Sequence, residues 1–466
     1  MTPVEAMTDP ALFGREFGGP TWAAWRVLLR LLFGLPPEGE ADLALLRACT
    51  GREAWPTSPA REAWIIAGRR AGKSRIAALL AVFLACFRDW REVLAPGERA
   101  VVMILATDRG QAGVVFSYVR ALLEHPLLAP LVEAERAESI DLRGGASVEV
   151  HAASYRSVRG RTLAAAILDE VAFWRDESST NPDVEVVAAL RPALATTGGL
   201  LLGISTPYAR RGVLWQAFAK HYAKDASPVM VWRAPSRSMN PDLPARLVAA
   251  ALEEDPAAGA AEWLAEFRSD IEGFVSREAV DAAVEPGRLE LPYDTRECYL
   301  GFVDPSGGSS DSMTLAVAHL EGPASARRAV LDCVREVRPP FSPEGVVAEF
   351  AETLRGYHVN QVTGDRYGAE WVAQSFERAG IRYQASAKSK SELYRELLPA
   401  LNSKRVDLLD QPRLLGQLVG LERRTARGGR ESIDHAPGAH DDVVNAAAGA
   451  LVLALDGALS GEARVW

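Results

Sequence analysis

The stretch Trp64–Phe83, WIIAGRRAGKSRIAALLAVF, decides how the chain begins to fold. Trp64-Ile65-Ile66 reads as a short buried strand, and the run after Lys73 has helix-forming character. A phosphate cradle needs a strand that ends abruptly, backbone N–H groups free to face an anion, and a helix whose positive end points at it. Ala67-Gly68-Arg69-Arg70-Ala71-Gly72-Lys73-Ser74 supplies these as A-x-x-x-x-G-K-S, with Ala67 where the usual pattern has glycine. In that frame Lys73 neutralises the outer phosphates of ATP, and the Ser74 hydroxyl holds Mg²⁺.

Such a cradle requires an apolar strand that ends in carboxylates. Leu163 to Leu168 is uninterrupted apolar and is followed by Asp169 and Glu170. Asp169 would hold Mg²⁺ through water, and Glu170 would orient or deprotonate the attacking water. Ala100–Thr107 and Gly199–Thr206 are further strand-length apolar runs, and the second ends in Ser205-Thr206-Pro207, where a nucleotide-state sensor would sit. Strands alternating with helices predict an α/β domain with a parallel, doubly wound sheet and ligands at the strands' carboxyl ends. Arg69 and Arg70 lie in the cradle, while Arg159 and Arg161 precede the acidic strand, within reach of a neighbouring subunit's nucleotide.

A different acidic pattern begins near Cys298. A strand ends at Asp304, a Gly/Ser turn leads to a returning strand from Met313, and Arg327–Val337 reads as a third. After a helix comes a strand ending at Asp365, and later Asp441-Asp442 opens an alanine-rich helix. Carboxylates converging on one end of a mixed sheet repel one another and persist where metal ions neutralise them. Oxygen ligation with open positions suits Mg²⁺ or Mn²⁺, and two such ions can hold the attacking and leaving oxygens of a phosphodiester. Lys388 and Lys390 precede a helix, and Arg423, Arg424, Arg427 and Arg430 flank Gly428-Gly429 in a predicted hairpin. Cations beside a two-metal site would hold a phosphate backbone without reading bases.

Composition sets the limits around these motifs. At 466 residues the chain is too long for one ordinary core, and 48% apolar with 24% charged residues is a globular balance. A net charge of −9 argues against a surface that coats nucleic acid all over, though not against a local basic track. The apolar runs are too short for a membrane helix, and the N-terminus lacks the basic start and apolar core of a signal peptide, so a cytoplasmic protein is expected. Cys49, Cys86, Cys298 and Cys333 show no paired spacing, and neither a disulfide framework nor a zinc site is expected. Domain bounds are expected at 1–240 for the ATPase with its helical N-terminal segment, 241–285 for a proline-broken helical linker, and 286–466 for the second acidic domain.

Gly-Arg-Arg-Ala-Gly-Lys-Ser, then Ile-Leu-Asp-Glu, then Ser-Thr-Pro, and finally a carboxylate site closing on His-Asp-Asp resembles the large subunit of a tailed-phage terminase across nearly the whole chain. The resemblance implies an ATP-driven motor that assembles as a ring on the prohead portal, works with a small terminase subunit and pumps double-stranded DNA in the host cytoplasm. It also implies a ribonuclease-H-like nuclease that cuts concatemeric DNA. Carried onto this sequence, Lys73 and Ser74 bind phosphate and Mg²⁺, Asp169 supports the metal and Glu170 is the catalytic carboxylate. Ser205 and Thr206 match the coupling motif, and Arg159 matches an arginine finger. Asp304, Asp365 and the Asp441/Asp442 pair match the nuclease ligands. Competing expectations are a helicase-like translocase whose C-terminal acids are structural, and a nucleotide-gated assembly factor that binds ATP without turnover.

Overall fold

The structure, a computed structural model, describes residues 1–153, 160–174, 182–309, 311–323, 326–365, 369–425, 431–436 and 438–459. The chain divides into two compact units that part between Ser269 and Asp270.

The first unit is built on a sheet of eight strands: β1 (Glu62–Ala67), β2 (Ala100–Ala106), β3 (Val132–Glu135), β4 (Ser139–Leu142), β5 (Ala146–Ala152), β6 (Leu163–Asp169), β7 (Leu200–Ser205) and β8 (Val229–Ala234). Their order is β3-β4-β5-β2-β6-β7-β1-β8. From β5 to β8 all pairs are parallel, while β3 and β4 add an antiparallel edge. Every residue of β2, β6 and β7 is buried, as expected of strands covered on both faces by crossover helices. β7 lies between β1 and β6. The strand ending in Ser205 is thereby placed between the one leading to Lys73 and the one ending in Asp169. Gly203 makes that central packing possible, because a Cβ there would lie 2.3 Å from the ring of Trp64, its partner across the strand pair.

Two peripheral segments close on the phosphate loop. The helix Ala23–Leu32 carries Trp25, fully buried, whose indole N–H donates to the Ala71 carbonyl at 2.8 Å. Trp22 lies against Gly72, where a Cβ would meet its ring at 2.9 Å. The predicted linker divides between the units. Its helices Ala245–Glu254 and Pro256–Leu264 belong to the first unit, whereas Ile271–Gly273 forms a strand, β9, of the second.

The second unit has a mixed sheet ordered β14-β13-β10-β11-β12-β15. Strands β10 (Tyr299–Asp304), β11 (Met313–Glu321) and β12 (Arg328–Val337) form an antiparallel meander. β13 (Gln361–Gly364) and β14 (Arg382–Ala385) continue it parallel to β10, and β15 (Val406–Asp407) pairs with β12. The sequence expectation of a ribonuclease-H-like mixed sheet is met by this order and these directions. The helix Asp442–Leu459 lies against β10 so closely that a Cβ on Gly449 would fall 2.2 Å from the Phe302 ring. Its small residues permit that approach. β16 (Leu421–Thr425) and β17 (Glu431–His435) form the predicted hairpin, and β9 joins it to make a separate three-stranded sheet.

Candidate nucleotide and metal sites

At the carboxyl ends of β1, β7 and β6, one lysine organises the first site. Gly72 takes a left-handed φ of 96° that brings the chain into the helix Lys73–Cys86, whose first-turn amides have no intrahelical acceptor. The Lys73 ammonium donates to the carbonyls of Ala67 and Gly68, each at 3.2 Å, and to the Thr206 hydroxyl at 2.7 Å. Glu170 Oε1 lies 3.2 Å from it. The other carboxylate oxygen, Oε2, accepts from the Ser205 hydroxyl at 3.2 Å and the Thr206 amide at 3.0 Å. Glu170 itself sits at φ 49°, a left-handed conformation unfavourable for a side chain with a Cβ and sustained by these contacts.

Asp169 lies beside this pair with no exposed surface. Burial pushes its carboxyl up to about 6, the Glu170 charge adds to the push, and a hydrogen bond from Gln111 opposes it. Gln111 donates to Oδ2 at 3.3 Å, while the buried Oδ1 has no hydrogen-bond partner. An orphaned, desolvated carboxylate oxygen next to a helix N-terminus fits a divalent cation and its phosphate ligand.

The predicted linker supplies part of the loop's wall. Arg69 donates its amide to the Glu262 carbonyl at 2.6 Å and pairs its guanidinium with the Glu262 carboxylate at 3.2 Å. A Cβ on Gly68 would lie 2.2 Å from Ser236 Oγ and 2.9 Å from the carbonyls of Glu262 and Trp263. Asn240 donates to the Arg70 carbonyl at 2.9 Å, and Arg70 stands at φ 59°. Sequence reading missed Gln111, Asn240 and Glu262, for which no local pattern exists. Arg161 is paired with the buried Glu149 at 2.6 Å, and Arg159 lies outside the described residues.

The second site gathers like charges. Asp304 and Asp365 each follow a paired position, Val303 opposite Gly364, on adjacent parallel strands, and strands are about 4.8 Å apart. Across the other edge of β10, Asp304 pairs with Thr314, whose hydroxyl donates to the Asp442 carbonyl at 2.6 Å. Asp304, Asp365 and Asp442 are therefore brought to one end of the sheet. Burial pushes the Asp304 carboxyl well above its usual range; a hydrogen bond from Asn445 opposes this, and the charges of Asp442, Asp441 and Asp365 reinforce it. Asp442 is also raised, first by burial and then by Asp441 and Asp311, with His440 opposing. The buried Asp442 Oδ2 and Asn445 Oδ1 have no hydrogen-bond partners. Hard oxygen donors that repel one another and end in unpaired buried atoms fit a divalent cation.

Among the described residues, two sets bring ligand atoms within 4.8 Å of one another: Asp311, His440 and Asp442; and Asp434, His435 and Asp441. Neither set contains Asp304 or Asp365. Asp441 and Asp442 are distinguished by their partners. Asp441 is buried, lies 3.0 Å from the Lys390 ammonium and accepts from the Tyr394 hydroxyl at 2.9 Å, whereas Asp442 Oδ2 accepts no hydrogen bond and lies 3.9 Å from His440 Nδ1. Asn445, three residues after Asp442 on the same helical face, was legible from that spacing but was not singled out.

The predicted cations of the second unit are mostly engaged within it. Lys388 pairs with Asp456 at 2.5 Å and also with Glu396, and Lys390 pairs with Asp434 at 2.8 Å and with Asp441. Two internal carboxylates already neutralise each lysine. Arg424 pairs with the fully buried Glu422 at 3.1 Å and donates to the His435 carbonyl at 2.8 Å; Arg423 lies over the Phe274 ring at 6.0 Å. Arg427 and Arg430 lie outside the described residues.

Residues 64–182 match the family described as terminase large subunit, T4likevirus-type, N-terminal. This segment is similar to the N-terminal part of terminase large subunits. The matched segment runs from β1 through the phosphate loop and Asp169-Glu170 to the start of the helix Pro182–Ala195, and so contains the acidic half of the first site. Several solved structures resemble the chain, three of them as follows. The large terminase of HK97 bacteriophage is 16% identical with TM-score 0.38, over 92% of this chain and 99% of that one. The large terminase ATPase domain of Thermus phage P74-26 is 20% identical with TM-score 0.38, over 52% of this chain and 97% of that one. The large terminase nuclease from thermophilic phage G20c, with bound magnesium, is 19% identical with TM-score 0.31, over 37% of this chain and 94% of that one. No curated protein matches the chain. Among the described residues, no helix is long and apolar enough to cross a membrane.

Proposed function

We propose that the chain is the large subunit of a phage terminase: an ATP-driven translocase of double-stranded DNA, in the first unit, joined to a divalent-metal-dependent DNA endonuclease in the second. The observation that carries this reading is the presence in one chain of two acidic centres of opposite design. In one, Glu170 is locked to Lys73, Ser205 and Thr206; in the other, the charges of Asp442, Asp441 and Asp365 bear on the buried Asp304.

In the motor, Ala67 to Ser74 wrap the phosphates, and Lys73 leaves Glu170 to neutralise them. Ser74 and Asp169 would hold Mg²⁺, which would supply positive charge to neutralise the phosphates. Glu170, released from Lys73, orients the attacking water and accepts its proton at Oε1. Ser205 and Thr206 touch both partners of that ion pair, so a change in Lys73 is transmitted along β7. Arg159 is the candidate to reach a neighbouring subunit's nucleotide. In the nuclease, Asp304, Asp365 and Asp442 would hold Mg²⁺ or Mn²⁺, which would supply an activated water and Lewis-acid stabilisation for phosphodiester cleavage. Arg423 on β16, together with Arg427 and Arg430 from the sequence reading, contacts the DNA backbone. Partners under this reading are double-stranded DNA, the portal of the prohead, a small terminase subunit and further copies in a ring, acting in the host cytoplasm.

A paired assay of ATP turnover and plasmid cleavage tests the reading. Glu170→Ala is expected to abolish turnover while nucleotide binding persists, and Asp365→Ala to abolish cleavage with turnover intact. Metal-dependent cleavage by clean Asp365→Ala protein, or unchanged turnover by Glu170→Ala, would overturn the corresponding assignment. Cleavage should also weaken steeply with salt and depend little on sequence.

A further inference from the structure

Lys390 lies where the hairpin, a helix start and the carboxylate site meet. It is the first residue of the helix Lys390–Asn402, and its ammonium bridges Asp434 on β17, at 2.8 Å, and Asp441, at 3.0 Å. Tyr394, one turn further along the same helical face and fully buried, donates its hydroxyl to Asp441 Oδ2 at 2.9 Å. Ser391 completes the clamp: its hydroxyl donates to the Ile433 carbonyl at 2.8 Å and accepts from the Ile433 amide at 3.0 Å. One helical turn thus grips β17 through Ser391 and Asp434, and grips the start of the Asp442–Leu459 helix through Asp441.

The consequence falls on Asp442. Its backbone is continuous with Asp441 and is held again by Thr314, while the Asn445 amide donates to the Asp441 carbonyl at 2.8 Å. With the Asp441 side chain fixed by two donors, the rotation of the helix's first turn is fixed, and so is the direction of the Asp442 carboxylate. Asp441 cannot point at the other acids without abandoning both donors and leaving a buried charge unpaired.

We infer that Lys390 is a positioning residue of the nuclease site. It holds Asp441 as an anchor, aims Asp442 at the metal and couples that aim to the hairpin, instead of contacting DNA. This rests on the nuclease reading above and deepens it. Partners that orient metal ligands are typically worth 10–100-fold in metal affinity or activity.

The test uses the full chain and two readouts: Mn²⁺ binding followed by electron paramagnetic resonance, and the metal concentration giving half-maximal plasmid cleavage. Lys390→Met is expected to weaken Mn²⁺ binding and raise the half-maximal concentration about 10–100-fold, with ATP turnover at the wild-type rate. Lys390→Met with Asp441→Asn removes the unpaired charge while keeping an acceptor for Tyr394, and should recover most of the loss. Asp441→Asn alone should cost less binding than Asp442→Asn. The inference is overturned if Lys390→Met binds Mn²⁺ like wild type, if the double variant is no better than Lys390→Met, or if Asp441→Asn and Asp442→Asn are equally defective. Should Lys390→Met fail to fold, the double variant and the two aspartate variants still decide the matter. A wild-type chain that binds Mn²⁺ but does not cut would sink the nuclease reading, and the binding comparison would still judge Lys390.

Discussion

The two acidic centres handle charge in opposite ways. At the phosphate loop a lysine and a carboxylate are matched: Lys73 faces Glu170 at 3.2 Å, and Glu170 is further bound by Ser205 and Thr206. At the end of the second sheet Asp304 is surrounded by Asp365, Asp441 and Asp442, and its carboxyl is forced well above the usual range by burial and then by those charges. In the first centre the Lys73–Glu170 pair is neutral in itself and, under the proposed function, exchanges a partner when a phosphate arrives. The second is under electrostatic stress that a cation relieves. The first should therefore be stable without ligand and damaged by losing one residue, while the second should gain stability from metal or from losing a charge.

The largest expected effect is at Lys73. Lys73→Met leaves the Glu170 carboxylate without its counter-charge in a largely buried position; a loss of about 3 kcal/mol is expected, read from denaturant midpoints, together with loss of ATP turnover. Unchanged stability would mean that the pair is not what neutralises the centre. Next is Gly68→Ala, whose Cβ would press on Ser236 and on the Glu262 and Trp263 carbonyls. Overpacking of this kind costs about 1–3 kcal/mol, and ATP affinity should fall with it. The opposite sign is expected at the second centre. Asp304→Asn should raise the melting temperature in EDTA by a few degrees, on the order of 1 kcal/mol, and erase the stabilisation by Mg²⁺ seen in wild type. A fall in EDTA would break the contrast drawn above.

The smallest effect lies away from both centres. Burial of the His319 ring opposes its charged form, but the Asp332 hydrogen bond and charge outweigh this and hold its pKa above the usual value. Asp332 is raised as well, chiefly by burial. Both groups hold more protons folded than unfolded, so each contributes stability that is lost as pH rises, for His319 upward from its ordinary value of about 6.5. Melting temperature should decline through that window in wild type and decline less in His319→Gln.

Much of each centre was legible along the chain because its groups stand at the ends of strands. A strand in a parallel sheet delivers whatever follows its last apolar residue to the same edge, so Asp169-Glu170, Ser205-Thr206, Asp304 and Asp365 could be assigned to their edges before any pairing was known. The hairpin and the first turn of the last helix were readable for the same local reason. Glu262 was not. It lies in a proline-broken helical stretch that reads as a connection, and its carbonyl becomes a wall of the phosphate loop only when that stretch folds back. Nor were the partners of the lysines legible. Lys388 and Lys390 look like solvent-facing cations until the acids that neutralise them, far away in sequence, are brought alongside.

By itself the sequence determined which chemical groups each centre contains and the order in which strands present them, since strand ends and helix starts follow from local apolar runs and turns. Tertiary structure alone decided how those groups are matched. β7 inserted between β1 and β6 sets Thr206 on Lys73, and a helix turn around Lys390 separates Asp441 from Asp442. The physical reason is that an ionic partner is chosen by distance in space and by burial, and neither is a property of any single stretch of chain.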